Sequence, residues 1–391
     1  MSTTAGIIIV GGGLAAARTA EQLRRSEFGG PITIVSDEDH LPYDRPPLSK
    51  DVLSGKTDDV TLKPAEFYAE NDITLLLGTA ATALDPQARK LTLADGRALE
   101  YDELIIATGL VPKRIPTLPD LEGIRVLRTY DESMALRKHA GSARNAVVIG
   151  AGFIGCEVAA SLRGLGVHVV LVEPQPTPLA GVLGEQIGAL VARLHRDEGV
   201  DLRCGVGVAD VRGTGAVEKV VLDDGTELDA DLVVVGIGST PATDWLQGSG
   251  VEVDNGVVCD AVGRTNVEHV WAIGDVASWR NTVGKQVRVE HWSNVADQAR
   301  VLVPALLGQE VPVAATVPYF WSDQYDVKIQ CLGEPEAGDT VHVVSDDGRK
   351  FLAYYERDGV LTGVVGGGMP GKVMKARAKI AAGAPISEVL E

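Results

Sequence analysis

The chain has 391 residues, a formal net charge of −18 at pH 7 and only 5% aromatic residues. This length predicts two or three domains, and the acidic charge argues against a general nucleic-acid-binding protein, which needs a basic face. No window contains the roughly 18 uninterrupted apolar residues of a membrane span, so we expect neither nucleic acid nor membrane among the partners. The predicted strand at Ile7 leaves no room for a signal peptide, which predicts a cytoplasmic protein.

The first glycine-rich segment, residues 11–16, follows the apolar run Ile7–Val10 and precedes a helical stretch. Strand, glycine turn and helix in this order are typical of dinucleotide binding, because glycine lets backbone N–H groups approach a pyrophosphate at a helix N-terminus. Alanine stands at the third glycine position, where it is an accepted variant. The residues of this segment that we predict to contact a cofactor are Gly11, Gly13, Leu14, Ala15 and Ala16.

The second predicted strand, Ile32–Val35, is followed by polar residues that could bind the adenosine ribose of this first cofactor. In doubly wound folds the ribose ligand stands about 20 positions beyond the glycines. Ser36 and Asp37 both lie near that place, and the sequence leaves the choice between them open.

A proline-rich segment, residues 43–50, comes next and reads Tyr-Asp-Arg-Pro-Pro-Leu-Ser-Lys. Proline removes a backbone donor and disrupts a regular helix. We therefore expect a rigid loop that fixes the two cations, Arg45 and Lys50, in place.

One pattern occurs twice in the chain. Residues 95–109 and 224–238 each contain an Asp-Gly turn, a short strand and an apolar strand that ends in glycine, and each follows a glycine-rich fingerprint at a similar spacing. Two unrelated α/β segments with common turn chemistry are the alternative, and the matching order and register favour a repeat. The predicted cofactor contacts in the second copy are Gly150, Gly152, Phe153, Ile154, Gly155 and Gly238.

Glu173 follows the second strand of the second copy, about 20 residues beyond Gly152. A carboxylate at this place accepts hydrogen bonds from a ribose 2′-OH and repels a 2′-phosphate. The sequence therefore predicts NAD(H) rather than NADP(H) at the second site. The alternative is a strand-end glutamate that faces solvent.

The four cysteines, at positions 156, 204, 259 and 331, are scattered, and their spacing fits neither a redox dithiol nor a metal site. Cys156 stands near the start of a predicted helix, where a thiolate could be stabilised. We expect it instead to be a small packing residue, and we predict no metal ion.

From Pro318 onward the sequence alternates as short strands over residues 327–332, 341–345, 351–355 and 361–365. Residues 372–379 then predict a basic helix that contains Lys372, Lys375, Arg377 and Lys379. Such a helix is either a solvated face or a docking patch for an acidic partner protein, because a local positive field is enough to steer association.

Together these motifs resemble the FAD-dependent pyridine nucleotide oxidoreductases, specifically their ferredoxin reductase branch. The motifs that carry the resemblance are the two fingerprints, residues 45–50, Ala107-Thr108-Gly109, Gly274-Asp275, Glu290-His291-Trp292 and residues 320–324. The resemblance implies an α/β fold of two doubly wound nucleotide-binding domains, glutathione-reductase-like and three-layered, plus a C-terminal α+β domain. The implied domains are FAD-binding at 1–112 and 244–316, NAD-binding at 113–243 and interface at 317–391.

The resemblance also implies the reaction. NADH would pass hydride to FAD, and single electrons would then reach a 2Fe–2S ferredoxin or rubredoxin that supplies an oxygenase such as a cytochrome P450. Residues 48–52 lack the cysteine that disulfide reductases and peroxidases of the superfamily use, which excludes a sulfur route. An NADH-sensing flavoprotein of the apoptosis-inducing-factor type, acting through protein interaction, is the alternative.

Roles for single residues follow from the same resemblance. Lys50 and Arg45 would stabilise negative charge on the reduced flavin, and Asp275 would hold the ribityl chain. Glu157 would approach the nicotinamide, with an exposed helical glutamate as the alternative, and Trp321 would shield the flavin. His291 is expected to be a structural hydrogen-bonding group. The remaining implied cofactor contacts are Ala81, Ala107, Thr108, Gly109, Arg114, Gly274, Glu290, His291, Trp292 and Trp321.

Overall fold

The computed structural model describes residues 5–312, 316–336 and 338–390. The chain forms two units. Unit 1 comprises Met1–Asp44, Asp59–Val111 and Thr240–Thr316, and unit 2 comprises Arg45–Asp58, Pro112–Ser239 and Val317–Glu391. None of the described helices is long and apolar enough to cross a membrane.

A parallel sheet forms the centre of unit 1, and its middle strand is Gly6–Val10. Strands that are covered on both faces need continuous apolar runs, and Ile7 through Val10 are all buried. In spatial order the parallel strands of the described chain are Ile73–Leu76, Ile32–Val35, Gly6–Val10, Ala98–Ile106 and Val270–Ala272. The first part of Ala98–Ile106 also pairs with an antiparallel hairpin of Lys90–Leu93 and Ala81–Asp85.

Helices Leu14–Arg25 and Trp292–Leu306 pack together in unit 1. Their small and aliphatic residues, such as Ala16, Ala20 and Leu302, are buried in one hydrophobic core with the sheet. The other described elements of unit 1 are the helix Ala65–Glu70, the 3₁₀ turns Asp244–Leu246 and Gly274–Val276, and a small sheet of Val257–Cys259, Ala277–Arg280 and Gln286–Val287.

Unit 2 contains a second sheet with the same plan. Its parallel strands, in spatial order, are Asp201–Cys204, His168–Glu173, Asn145–Ile149, Leu232–Val235 and Ile124–Arg125. An antiparallel meander accompanies it, formed by Val208–Thr214, Ala216–Leu222 and Glu227–Asp229. The predicted repeat is therefore confirmed, with one difference in the position of an edge strand along the sequence. In unit 1 the edge strand Val270–Ala272 comes after the repeated segment, whereas in unit 2 the edge strand Ile124–Arg125 comes before it.

Three helices flank this second sheet: Tyr130–Ala140, Phe153–Gly164 and Ala180–Asp197. The first begins with a capping box, in which the side chains of Thr129 and Glu132 each accept a backbone N–H at the helix start. The third is kinked at Gly184, whose φ of 78° is not helical.

The C-terminal segment of unit 2 is an antiparallel sheet. Its strands, in spatial order, are Tyr319–Gln324, Val327–Gly333, Val360–Gly367, Phe351–Arg357 and Thr340–Asp346. Its inward residues share one hydrophobic core with helices Phe153–Gly164 and Ala180–Asp197. The four predicted strands are confirmed, but the predicted continuous basic helix is wrong, because the chain forms two short helices, Pro370–Lys375 and Arg377–Ala381, followed by Ser387–Leu390.

The predicted fold class, two doubly wound sheets and a C-terminal α+β segment, is confirmed. Strands Leu110–Pro112 and Ser239–Pro241 pair with each other, and each contains one of the five points at which the chain passes from one unit to the other. The domain boundaries at residues 112, 244 and 317 stay a prediction.

Candidate functional site

The first fingerprint forms a backbone cradle in unit 1. Gly11 has a φ of 123°, and a Cβ there would lie 2.2 Å from the carbonyl oxygen of Ala107, so only glycine fits. Gly13 precedes the helix Leu14–Arg25 without a side-chain cap, and a Cβ there would meet nothing within 4 Å. The helix N-terminus therefore has no side-chain cap and borders open space at Gly13, which leaves room for a pyrophosphate.

Gly274 and Asp275 lie beside this cradle, as the sequence predicted. A Cβ on Gly274 would come 3.0 Å from the Cβ of Ala15, and the Gly274 N–H donates to Gln298 Oε1 at 2.8 Å. Asp275 is thereby held at the start of a 3₁₀ turn next to the first fingerprint. Two segments far apart in sequence thus form one site in unit 1.

Ser36 and Asp37, the two candidates for the ribose ligand, differ in environment. Ser36 is buried, its Oγ accepts the Glu38 N–H at 3.2 Å, and a Cβ on Gly12 would lie 2.2 Å from that Oγ. Asp37 is exposed. The hydroxyl is therefore committed to the local turn, and the carboxylate is the group accessible to a ribose.

The second fingerprint repeats the first cradle in unit 2. Gly150 has a φ of 96°, and a Cβ there would lie 2.5 Å from the carbonyl oxygen of Gly236. A Cβ on Gly155 would lie 1.9 Å from the Gly150 oxygen, whereas one on Gly152 would meet nothing within 4 Å. Phe153 and Ile154 form the first turn of the uncapped helix, and Gly238, with a φ of 90°, borders open space.

Glu173 is held beside this second cradle. Its Oε2 accepts the Ala151 N–H at 2.6 Å, and its Oε1 accepts the Gln175 N–H at 2.9 Å. The alternative of a glutamate that merely faces solvent does not describe this geometry. The carboxylate therefore lies at the second cradle, and its contact with a ribose stays a prediction.

Lys50 and Glu157 form a buried ion pair in unit 2. The 3₁₀ helix Pro46–Ser49 delivers Lys50, whose Nζ lies 2.9 Å from Glu157 Oε2 and donates to the Pro46 oxygen at 2.9 Å. This short helix replaces the loop that we predicted. It forms because both prolines stand in its first turn, where no backbone donor is needed.

Glu157 is fully enclosed, with only 3% of its surface exposed, so the alternative of an exposed helical glutamate is wrong. Besides its contact with Lys50, its carboxylate accepts hydrogen bonds from the Ser49 hydroxyl at 2.5 Å, the Ser322 hydroxyl at 2.8 Å and the Asp323 N–H at 3.3 Å. Four donors around one buried carboxylate offset the cost of removing it from water.

Trp321 lies on the strand Tyr319–Gln324, on the face opposite to Ser322. Its ring stacks on Tyr319 with ring centroids 5.8 Å apart, and Lys328 Nζ lies 5.6 Å from its centroid. Arg45 donates to the backbone oxygen of Arg128 at 2.8 Å, and Arg114 is exposed. These three residues and the Lys50–Glu157 pair all belong to unit 2.

The other predicted contacts belong to unit 1. Ala107, Thr108 and Gly109 follow the strand Ala98–Ile106, and Thr108 Oγ1 donates to the Ala242 oxygen at 2.8 Å. Ala81 begins an outer strand of the hairpin. Glu290 and His291 precede helix Trp292–Leu306, and Glu290 accepts a hydrogen bond from Arg288 at 2.5 Å. Trp292 is the first residue of that helix, and its indole N–H donates to Asp44 at 2.6 Å.

Burial lowers the pKa of His291 to about 4, so its ring is neutral at pH 7. The predicted role of His291, a structural hydrogen-bonding group rather than a base, stays a prediction.

All four cysteines are free thiols, and Cys156, Cys259 and Cys331 are buried. Burial raises the pKa of each of these three thiols above its usual range, so none forms a reactive thiolate. Among the described residues no group of three or more His, Cys, Asp and Glu side chains could hold a metal ion.

Sequence reasoning missed the serines that bind Glu157. Ser49 lies in the proline-rich segment and Ser322 in the motif of residues 320–324, and neither pattern by itself indicates a carboxylate partner. One signal was available: Phe320, Ser322 and Gln324 alternate on the inward face of a strand, where a polar residue needs a buried partner.

Comparisons with known proteins agree with this architecture. Residues 5–299 match the pyridine nucleotide-disulphide oxidoreductase family, and residues 319–390 match the reductase C-terminal family. The chain is 38% identical to rhodocoxin reductase of Rhodococcus erythropolis over 389 residues, which cover 97% of this chain and 90% of the relative. It is 36% identical to putidaredoxin reductase of Pseudomonas putida over 353 residues, 88% and 83% of the two chains.

Solved structures show the same similarity. A chain of the covalent putidaredoxin reductase–putidaredoxin complex superposes with a TM-score of 0.94 at 33% identity, covering 100% of this chain and 96% of its own. The ferredoxin reductase for the CYP199A2 system of Rhodopseudomonas palustris superposes with a TM-score of 0.93 at 34% identity, covering 97% and 95%.

Proposed function

The chain belongs to the pyridine nucleotide-disulphide oxidoreductase family, and from that premise we propose that it is an FAD-containing enzyme that oxidises NADH and reduces a 2Fe–2S ferredoxin. The main observation behind the proposal is the pair of equivalent glycine cradles. In each cradle the first glycine lies so close to a backbone carbonyl oxygen that a Cβ at that position would clash with it. The names of two relatives whose alignments cover 90% and 88% of this chain, a ferredoxin–NAD(P)⁺ reductase and a putidaredoxin reductase, support a ferredoxin as the electron acceptor.

The first cradle fits the pyrophosphate of FAD. Gly11 and Gly13 leave the helix N-terminus open, and Asp275 stands beside it with a carboxylate for hydroxyl groups. Asp37 is the accessible partner for the adenosine ribose. When bound, FAD supplies the ability to take up a hydride and to release electrons one at a time.

The second cradle fits NADH as the substrate. Gly150 and Gly155 let the sheet and the helix approach closely, and the open side of Gly152 receives the pyrophosphate. Glu173 is fixed by two backbone N–H groups and can still accept from ribose hydroxyls, because each carboxylate oxygen has more than one acceptor position. The same negative charge would repel a 2′-phosphate.

The ion pair of Lys50 and Glu157 provides a fixed dipole in unit 2. The four donors around Glu157 fix the orientation of its carboxylate, and the Lys50 ammonium is left with one further N–H. A cation that is held in place in this way stabilises negative charge that develops during hydride transfer, without reorganisation. Trp321, on the other face of its strand, is our candidate for an aromatic shield.

Electrons leave this enzyme without a thiol. The turn at residues 48–52 has no cysteine, and burial raises the pKa of Cys156 well above its usual range. We propose a ferredoxin, or alternatively a rubredoxin, as the direct acceptor, an oxygenase such as a cytochrome P450 downstream, and a cytoplasmic location.

The test is reconstitution of the electron pathway. The purified chain should be yellow, should release FAD on acid treatment, and should reduce cytochrome c with NADH only when a 2Fe–2S ferredoxin is added. A colourless chain that cannot be reconstituted with FAD would end this proposal. Slow turnover with every ferredoxin, in a chain that does bind FAD and NADH, would favour the sensor alternative.

A further inference from the structure

The segment of residues 45–58 belongs to unit 2, although the chain before and after it belongs to unit 1. In the middle of this docked segment, Leu53 is completely buried. Leu53 shares one hydrophobic core with residues of the helices Tyr130–Ala140 and Phe153–Gly164. The docked segment is therefore packed against these two helices and forms part of the interior of unit 2.

Two serine hydroxyls, one from each helix, bind the backbone of the docked segment. Ser133 Oγ donates to the Leu48 oxygen at 2.7 Å, and Ser161 Oγ donates to the Ser49 oxygen at 2.6 Å. A serine inside a helix often bonds instead to a carbonyl of its own preceding turn. Leu48 and Ser49 end a 3₁₀ helix, and the last carbonyls of a helix have no partner inside it. The two hydroxyls supply the missing partners.

The bond from Ser161 fixes the peptide group that leads into Lys50. The Ser49 oxygen and the Lys50 N–H belong to one planar peptide group. The oxygen accepts from Ser161, and the N–H donates to the Pro47 oxygen at 3.0 Å. Because both polar atoms of this plane are bonded, its orientation is fixed, and the position of the Lys50 Cα is fixed with it.

Glu157 and Ser161 bind the docked segment from the same face of their helix. They stand four residues apart, which places their side chains one above the other. Glu157 binds the side chains of Lys50 and Ser49, whereas Ser161 binds the Ser49 backbone. One helix face therefore holds both the charged end of the lysine and the backbone that carries it.

The other helix binds the docked segment in a similar way. Ser133 is completely buried, so water does not replace its bond. Arg137, one turn further along the same helix, donates to the Val52 oxygen at 3.1 Å. The helix Tyr130–Ala140 therefore binds a backbone carbonyl on each side of Lys50.

We propose that Ser133 and Ser161 are positioning residues for Lys50. Their hydroxyls hold the backbone that precedes the lysine, so that its ammonium meets the Glu157 carboxylate in one orientation. They act through backbone carbonyls and not through the charged groups. The effect on hydride transfer rests on the function proposed above, whereas the anchoring of the backbone does not.

The anchoring is tested by hydrogen–deuterium exchange of the purified full chain, measured by mass spectrometry. Backbone N–H groups of the docked segment donate to backbone oxygens, so their exchange reports its local opening. Ser133→Ala and Ser161→Ala should each raise the exchange rate of this segment about five- to tenfold, because one hydrogen bond is lost.

Ser142→Ala is the matched control for the exchange measurement. Its hydroxyl also donates to a backbone oxygen, that of His139 at 3.1 Å, but outside the docked segment, so exchange there should stay unchanged. Unchanged exchange of the docked segment in both Ser133→Ala and Ser161→Ala would overturn the proposal, whether or not the chain oxidises NADH.

The positioning role is tested by stopped-flow reduction of the bound flavin by NADH. Ser161→Ala should lower the limiting reduction rate about tenfold and leave the NADH dissociation constant nearly unchanged, because misplacement affects the reaction geometry more than binding. Ser161 is only partly buried, so we expect this variant to fold. Equal limiting rates in Ser161→Ala and Ser142→Ala would overturn the proposal.

A double variant tests whether the effect passes through Lys50. In a Lys50→Met background the cation is absent, so Ser161→Ala should cause no additional loss of the reduction rate. Ser133→Ala should follow the same pattern in this background. Additive losses from Lys50→Met and Ser161→Ala would show that the serine acts on the rate by another route and would contradict the proposal.

Discussion

At the scale of single residues, we expect Glu173 to connect the fold to the choice of coenzyme. The parallel strand His168–Glu173 ends at the second cradle, and two backbone N–H groups hold the carboxylate there. Its position is a consequence of strand length, because one residue more or less would turn the side chain to the other face of the sheet.

We expect the chain to prefer NADH over NADPH in kcat/KM, and we expect Glu173→Ala combined with Gln175→Arg to reduce that preference about tenfold or more. The substitution removes a repelling charge and adds a cation at an exposed neighbouring position. Steady-state kinetics with both coenzymes measure the effect. Asp37→Ala, at the corresponding place in the first copy, is the control and should leave the ratio unchanged. Equal efficiency of the unmodified protein with both coenzymes would refute the assignment.

The cysteines provide a second prediction at this scale. Replacement of all four by alanine should change the rate of electron transfer to an acceptor by no more than about a factor of two, because buried thiols with a raised pKa supply no thiolate. Some loss of thermal stability is expected from the cavity at Cys156, which is completely buried. If the variant without cysteines folded and bound FAD normally but its reduced flavin were no longer reoxidised by the acceptor, the result would show that a thiol carries electrons.

At the scale of elements, the two strand–turn–helix cradles should fail independently. Gly11→Ala places a Cβ 2.2 Å from the Ala107 oxygen and should abolish FAD binding, whereas Gly150→Ala meets the Gly236 oxygen at 2.5 Å and should abolish NADH binding while FAD is retained. Gly181→Ala, inside helix Ala180–Asp197 with nothing within 4 Å, is the control and should affect neither. Flavin absorbance and NADH titration separate the outcomes; loss of both ligands in both variants would argue against two separate sites.

The C-terminal helices carry a prediction about docking. Lys372, Lys375 and Arg377 are exposed, whereas the Lys379 ammonium donates to the Glu388 backbone oxygen at 2.6 Å. Reversing the charge of Lys372 and Lys375 should therefore raise the apparent KM for an acidic ferredoxin severalfold and weaken its salt dependence, because a local positive field is lost.

NADH-dependent reduction of ferricyanide should stay unchanged in that variant, since this small acceptor does not need the docking surface. Lys138→Glu, on the exposed side of helix Tyr130–Ala140, is the matched control. If the kinetics with ferredoxin did not change after charge reversal, these helices would be an ordinary solvent-exposed surface, and ferredoxin would have to dock elsewhere.

At the scale of the whole molecule, features that depend on a local sequence pattern were more predictable than features that depend on contacts between distant residues. The cradles were predictable because the need for glycine arises within a few residues, and the apolar runs at Ile7–Val10 and residues 146–149 specify buried parallel strands. The enclosure of Glu157 was not, because Ser49 and Ser322 lie 108 and 165 positions away from it. The break between the two basic helices was also missed, since Lys, Ala and Arg all favour a continuous helix.

The central claim is that two electrons from one NADH leave singly to an iron–sulfur protein, and an anaerobic titration tests it most directly. A catalytic amount of the enzyme, with one FAD per chain, is mixed with an excess of oxidised 2Fe–2S ferredoxin, and NADH is added in small portions. We expect about two ferredoxins to be reduced for each NADH consumed, because a hydride carries two electrons and each ferredoxin accepts one. An enzyme that binds FAD and oxidises NADH, yet leaves ferredoxin and rubredoxin oxidised, would contradict the account.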